Sequence, residues 1–323
     1  MRRRTAIAAA ALPLLLAAAC GSQTSTTASP SSAANAATAS ADGIKVTGAA
    51  GAKPVVAFPA GKPPLTSSSK IILAGTGQAV KDGDILKAKV TIYDWDGKQN
   101  KASSSDYDQG HSEFVTVSSA QLPKALFQAL QGAKPGGRVL AVVSKDNLSP
   151  EQITQAQSQG TDFNTSSQVL VIDVESSMPK AASGTAVDSS IDGVKVDSPG
   201  GEKAPTLTTK TDAKPPKDLV VKTLIKGSGP AVKADQMVLA HYTGKIWGTD
   251  KEFDSSWARN TPATFPLNQV IKGWSQGLTG VPVGSRVLIS VPPDLGYGSQ
   301  GNPQGGIKGT DTLVFLVDVL GAV

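Results

Sequence analysis

Alternation of apolar and polar positions dominates the second half of the chain. Leu219–Lys226, Gln236–Trp247, Arg286–Val291 and Thr312–Leu320 are rich in β-branched and aromatic residues with a period near two, and each predicts a strand. One segment departs from that period. In "LNQVIKGWSQGL" the apolar residues Val270, Ile271, Trp274 and Leu278 fall at helical spacing. Asn268 offers a helix N-cap, and Gly280 and Pro282 end the pattern. Strands flanking a single short helix predict an antiparallel sheet wrapped around that helix, with the helix's apolar stripe on the concave face.

The first half repeats this plan. "DGIKV" at Asp42 returns as "DGVKV" at Asp192, and "GTGQAVKDGDIL" at Gly75 returns as "GSGPAVKADQMV" at Gly227. "LPKALFQALQGAKPGGRVLAVV" at Leu122 returns as "VIKGWSQGLTGVPVGSRVLISV" at Val270, and "QVLVIDVES" at Gln168 as "DTLVFLVDVL" at Asp311. The offset stays near 143 to 152 residues. Self-similarity at that period means one fold used twice. The expected class is α+β: two tandem domains over 42–179 and 190–323, each a twisted antiparallel half-barrel around one short helix, joined by a linker at 180–189.

Composition changes this picture only at the N-terminus. Three of the positive charges behind the formal net charge of +5 are Arg2, Arg3 and Arg4. They open "MRRRTAIAAAALPLLLAAAC", a basic start followed by a short apolar run that Pro13 interrupts. That pattern is a secretory leader over 1–19 and is too short for a comfortable membrane span. The chain's single cysteine, Cys20, ends the leader. "L-A-A-A-C" resembles a bacterial lipobox, in which that cysteine is lipidated and anchors the mature protein to the membrane; Ala17 stands where such boxes more often have Leu. A lone exported thiol has no disulfide partner. Residues 20–41 carry almost nothing able to build a core and read as a flexible tether with a span of roughly 25 Å. Without the three leader arginines the charge is nearly balanced and no basic stripe appears, so nucleic acid is not an expected partner.

Familiar catalytic schemes find little support. The two histidines, His111 and His241, fall in different copies, and each is read as structural or surface. Ser255 and Ser256 have no base nearby in sequence. No Cys, His or carboxylate spacing suggests a metal, and no cofactor is expected. "GYGSQG" at Gly296 matches a dinucleotide fingerprint in letters, yet "NPQGGIKG" follows it in place of a helix.

What remains is a concentration of aromatics in the second copy: Tyr242, Phe253, Phe265, Trp274, Tyr297 and Phe315. Phe315 is accounted for by a core alone. Tyr242, Asp254 and Tyr297 are not, because hydroxyls and a carboxylate among apolar rings mark a pocket wall. "HYTG", "FDSS", "VIKGW", "VPVGSR" and "GYG", followed by "TLVFLVDVL", resemble in order and spacing the FK506-binding protein (FKBP) family of peptidyl-prolyl cis–trans isomerases. The resemblance covers roughly 217–320. It implies an antiparallel half-barrel with a prolyl pocket between sheet and helix. It implies Trp274 as pocket floor, Tyr242, Phe253 and Phe265 as sides, with Phe315 and Ile307 as further apolar contacts. It places Val270 and Ile271 at the rim, with the Ile271 N–H as a donor to substrate. Tyr297 becomes a hydroxyl donor over the peptide, and Asp254 a carboxylate that Arg259 and Tyr242 could hold. Asn302 stands where members often have His, and the surrounding loop is longer by one residue.

The resemblance further implies an enzyme that needs no nucleophile, with proline-containing exported or unfolded polypeptides as partners and macrolide inhibitors of the family as ligands. The first copy keeps the pattern but loses the chemistry. Val90 replaces Tyr242, Leu126 replaces Trp274, and Pro123 replaces Ile271 and removes its N–H. A degenerate, inactive FKBP-like domain is expected there. Two other functions stay open at this point: a proline-peptide-binding chaperone or scaffold lipoprotein with little turnover, and a small-solute-binding lipoprotein, whose usual α/β lobes conflict with the strand-rich repeats.

Overall fold

Each strong alternating run becomes a strand. The computed structural model describes residues 41–158 and 160–323. The leader, Cys20 and all but the last residue of the predicted tether lie outside them. The chain divides into two compact units on either side of 177/178.

In the unit ending at Ser177, β1 (Lys45–Thr47) and β2 (Val55–Ala57) form a hairpin. The main sheet contains β3 (Ser68–Leu73), β4 (Ile85–Trp95), β5 (Lys101–Ser105), β6 (Glu113–Thr116), β7 (Arg138–Val143) and β8 (Ser167–Ser177). Its order is β3-β7-β8-β4-β5, with β6 also on β4, and every pairing is antiparallel. The helices are a single turn α1 (Asp106–Gln109), α2 (Lys124–Leu130) and α3 (Pro150–Ser158).

The other unit is laid out alike. A hairpin of β10 (Lys195–Asp197) and β11 (Thr206–Thr208) precedes the sheet strands β12 (Val220–Gly227), β13 (Met237–Ile246), β14 (Glu252–Ser255), β15 (Ala263–Pro266), β16 (Arg286–Val291) and β17 (Leu313–Ala322). Read from β12, the order is β12-β16-β17-β13-β14, with β15 also on β13. The edge is extended by β9 (Gly184–Ala186), which pairs with β12. Residues 180–189, expected as a linker, thus carry a strand of this sheet. The backbone N–H of Ala182 also donates to buried Asp318.

Both faces of each sheet are covered, and the alternation explains why. On β16, Val287, Ile289 and Val291 face α4 (Lys272–Leu278) and pack with Trp274 and Leu278. Leu288 points the other way and packs with Ile191, Val194 and Leu207 under the β10–β11 hairpin. In the first unit Val139, Ala141 and Val143 face Leu126 and Leu130 of α2, while Leu140 and Val142 pack beneath the β1–β2 region. Sequence pattern alone did not reveal these outer hairpins. The repeated "DGxKV" was their signal, because Ile44 and Val194 are the residues it buries. Burying a Leu207-sized side chain stabilises by about 2 kcal/mol.

A buried ion pair ties each hairpin region to its sheet. Arg286 donates to Asp318 at 2.6 and 2.7 Å and to Ser198 at 2.9 Å. Arg138 donates to Asp173 at 2.8 and 2.9 Å, and to the carbonyls of Gly48, Ala49 and Ala52. The pairs occupy matching register positions, Arg286 opposite Asp318 and Arg138 opposite Asp173.

The site helix differs from expectation at its start. It begins at Lys272, two residues after the first of the predicted apolar positions, and Ile271 is its N-cap. Asn268 does not cap it; that residue sits in a 3-10 turn, Leu267–Gln269. The extended backbone of Val270 and Ile271 interrupts the helical path between them. Among the described residues no helix is long and apolar enough to cross a membrane.

Candidate functional site

The site assembles where α4 lies on the concave face of the second sheet. Trp274 comes from the first turn of α4, Tyr242 from the middle of β13, Phe253 from β14, Phe265 from β15 and Phe315 from β17. Strand parity sends these side chains to one face. Trp274 meets Tyr242, Phe265 and Phe315 edge-on, each at 5.3 Å between centroids. Tyr242 meets Phe265 at 5.6 Å and Phe253 meets Phe315 at 5.5 Å. Two glycines permit this closeness. A side-chain carbon on Gly244 would lie 2.6 Å from the Phe253 ring, and one on Gly273 would lie 2.4 Å from Val291.

Burial is graded across the cluster. Trp274, Tyr242, Phe315 and Ile307 are buried, while Phe253, Phe265, Val270 and Ile271 are half-buried. The result is an aromatic dish with a dry floor and a partly open apolar rim. The Trp274 indole N–H is buried without an acceptor among the described residues. The Ile271 N–H, at the helix N-cap on the rim, likewise has no acceptor there.

A polar corner closes one side. The Tyr242 hydroxyl donates to one oxygen of Asp254. Arg259 donates to the other oxygen of Asp254 and, at 3.0 Å, to the Tyr242 hydroxyl. Asp254 and Arg259 are partly exposed, at 41% and 51% of their side chains, so this pair is screened and worth little to stability. Its effect is orientation. Burial pushes the Tyr242 phenol upward, and its bond to Asp254 pushes it further, so the hydroxyl stays protonated. The bond to Asp254 likewise raises the Arg259 guanidinium.

Behind the corner lies a support that sequence reasoning missed. Ser256 was expected to have no base at hand, yet the His241 Nδ1 is 2.8 Å from its hydroxyl. The pair is not a nucleophile and base available to substrate, because Ser256 is fully buried and His241 nearly so. The Ser256 hydroxyl accepts the Tyr242 backbone N–H at 2.7 Å, and the His241 ring stacks on Trp257 at 3.8 Å. Burial pulls the His241 pKa down to about 4, against the opposing charge of Asp318, so the imidazole is neutral. The network locks the turn after β14, which carries Arg259. Only the fold brings His241 and Ser256 together, and nothing in their spacing announced it.

Tyr297 comes from a loop, not from the strands and helix that carry the rings. It stands before a 3-10 turn and is 39% exposed. The loop after it is held differently: Lys251 donates to the carbonyl of Gly306, and Asn302 and Ile307 pair through both backbone bonds at 2.9 Å. That loop delivers Ile307 to the dish, and no helix follows "GYGSQG". A cavity of about 210 Å³ lies elsewhere, on the outer sheet face between Ser189, Val194, Ser198 and Leu288. It adds no titratable group to the aromatic site.

In the first unit the equivalent place is filled. Leu126 and Leu130 of α2 pack with Val90, Leu170 and Ile172, and Phe127 and Leu148 cover them. Pro123 is the N-cap of α2, as Ile271 is of α4. The absence of metal-ligand spacing needs one correction here. The turn between β5 and β6 brings Asp106, His111 and Glu113 together, with potential ligand atoms all within 4.8 Å.

Comparison with known proteins places residues 229–320 within the model of the FKBP-type peptidyl-prolyl cis-trans isomerase family. An FK506-binding protein of Streptomyces anulatus is 41% identical over 133 residues, covering 41% of this chain and 98% of that one. A probable FK506-binding protein of Corynebacterium glutamicum is 40% identical over 107 residues, covering 33% of this chain and 89% of that one. The crystal structure of AtFKBP13 aligns at 33% identity with a TM-score of 0.31, over 34% of this chain and 96% of that one.

Proposed function

This chain belongs to the FKBP-type peptidyl-prolyl cis–trans isomerase family, and we propose that its aromatic dish around Trp274 is the isomerase site, acting on X–Pro bonds of exported polypeptides. The observation that carries the reading is the edge-on packing of Tyr242, Phe265 and Phe315 around the buried indole of Trp274.

Rotation about an X–Pro bond is opposed by amide resonance, with a barrier of about 18–20 kcal/mol. Uncatalysed relaxation takes tens to hundreds of seconds. No bond breaks and no proton moves, so the site has only to favour the twisted amide over the planar one. The planar amide is the more polar form. A water-poor ring of aromatics solvates it less well than bulk water and holds the twisted form by shape. The proline ring rests on Trp274, between Tyr242, Phe253 and Phe265, with Phe315 and Ile307 beneath. The free Ile271 N–H at the rim meets a substrate carbonyl whose position changes during rotation, a differential stabilisation. Asp254 fixes Tyr242 and Arg259, and Tyr297 sits on an exposed turn from which its hydroxyl meets the bound peptide. Family macrolides occupy the same dish.

The first unit is a degenerate copy of this fold. Its matching strand order and helix support that reading, and Pro123 and the packed Leu126 argue against turnover. Isomerisation of a short X–Pro peptide, followed by NMR exchange, tests the assignment. Trp274→Leu, which writes the first unit's residue into the second, should lower kcat/KM about 100-fold with the fold intact. Leu126→Ala should leave the rate unchanged. Undiminished activity in Trp274→Leu overturns the site. No turnover by the wild-type protein, with peptide binding retained, favours a chaperone or scaffold.

The leader pattern and the unpaired Cys20 support export and a lipid anchor, with the tether lifting the folded units off the membrane. Metabolic labelling with a radioactive fatty acid should tag the wild-type protein and not Cys20→Ser. Equal labelling of both would remove the anchor.

A further inference from the structure

We propose that the turn between β5 and β6 of the first unit is a binding site for a divalent transition-metal cation of the zinc class, held by Asp106, His111 and Glu113. The three residues sit within an eight-residue stretch. Gly110, in the left-handed conformation at φ 72°, ends the single turn of α1 and reverses the chain. That reversal returns the His111 backbone N–H to the Asp106 carbonyl at 3.3 Å and brings its Nε2 to 3.9 Å from Asp106 Oδ1. Glu113 follows at the first position of β6, and the ligand atoms of all three lie within 4.8 Å of one another.

The state of the two carboxylates points to a ligand. The Asp106 side chain is only 4% exposed. Its Oδ2 accepts the Val90 backbone N–H at 2.7 Å, while Oδ1 faces the cluster, with the His111 Nε2 as its ion-pair partner at 3.9 Å. Glu113 is half-buried, and its carboxylate makes no hydrogen bond or ion pair among the described residues. Two neighbouring carboxylates partly removed from water favour a positive charge between them, which a protonated His111 or a bound divalent cation supplies. Lys89 is directed elsewhere: it donates to the His111 carbonyl and lies over the Tyr107 ring. Glu175, the other nearby carboxylate, is engaged by Ser112 and Lys87.

An imidazole with two carboxylates is a donor set suited to zinc and related divalent ions. Ligands on one tetrahedral zinc lie about 3.3 Å apart, so the existing separations close by small rotations of the His111 imidazole and the Glu113 carboxylate. The Val90 N–H holds Asp106 from behind, as outer-shell bonds orient metal ligands. Three protein donors leave a fourth position to water. The corresponding place in the second unit is Ser256, whose hydroxyl accepts the Tyr242 N–H just as Asp106 accepts that of Val90. The degenerate copy thus carries a donor set where the other carries a hydroxyl.

Isothermal titration of ZnCl2 into the full chain, stripped with chelator and free of any affinity tag, tests this. One equivalent should bind to the wild-type protein. His111→Asn and Glu113→Gln should each weaken binding at least tenfold while circular dichroism and X–Pro isomerisation stay unchanged. Both positions tolerate substitution better than buried Asp106. Zinc should also raise the first unit's thermal transition in the wild-type protein and not in Glu113→Gln. No binding up to millimolar zinc, or binding that neither substitution weakens, overturns the site.

Discussion

Trp274 stands on α4 where Leu126 stands on α2, and most of the difference between the two units can be traced outward from that pair. Both helices are seven residues long, and both lie on a sheet of the same strand order. Leu126 is short enough for Val90, Leu170 and Ile172 to close over it, so the first unit has a solid core at that place. An indole is too large for that. It is walled edge-on by Tyr242, Phe265 and Phe315, and the half-buried Phe253, Val270 and Ile271 remain around it as an apolar rim. The scaffold is therefore separable from the chemistry. What the units share holds the fold, and what they do not share makes a site.

The sharpest way to break this comparison is to attack the shared part. Asp318→Ala leaves Arg286 buried and unpaired, and Asp173→Ala does the same to Arg138. Each should cost about 3–5 kcal/mol. Calorimetry of the full chain should show each substitution lowering one transition and leaving the other in place. A single transition that moves equally in both variants would mean that the two cores are one cooperative system.

A smaller effect should separate the units by pH. Lys89 occupies the register position in the first sheet that His241 occupies in the second, opposite Asp173 and Asp318 respectively. His241 is held neutral, with its pKa lowered to about 4 from 6.5. Below pH 6.5 the unfolded chain therefore binds a proton that the native unit refuses. The stability this provides is complete above about pH 6.5 and falls as the pH drops toward 4, by at most about 3 kcal/mol. Denaturant midpoints measured from pH 7 to 4.5 should decline for the second unit, and His241→Gln should flatten the slope. An unchanged slope in that variant would remove His241 as the cause.

The candidate site was legible to different depths. Tyr242, Phe253, Phe265, Trp274 and Phe315 meet in one cluster because strand parity and helical spacing are local properties that sequence displays directly, while Ile307, Val270 and Ile271 join it from loop and extended backbone that only the family resemblance implied. Asp254 is held by Tyr242 and Arg259 as the resemblance implied. Tyr297 was less legible, since loop geometry places it and no periodicity does. The helix start was misjudged for a related reason: Asn268 is a good cap in isolation, but a 3-10 turn leads into Ile271. The segment at 180–189 has no alternation strong enough to predict β9, whose place is set by the open edge of β12.

By itself the sequence predicted the strands and short helix of each half, identified the family of the second half, and set Val90, Leu126 and Pro123 where the aligned second half has Tyr242, Trp274 and Ile271. These follow from periodicity and residue identity, which need no knowledge of distant contacts. Tertiary structure alone decided that His241 meets Ser256, that Arg286 and Arg138 find buried aspartates and pin the outer hairpins, and that Asp106, His111 and Glu113 converge. Those depend on which strands become neighbours and on a reversal at Gly110, and register between distant segments is a property of the packed chain, not of any stretch along it.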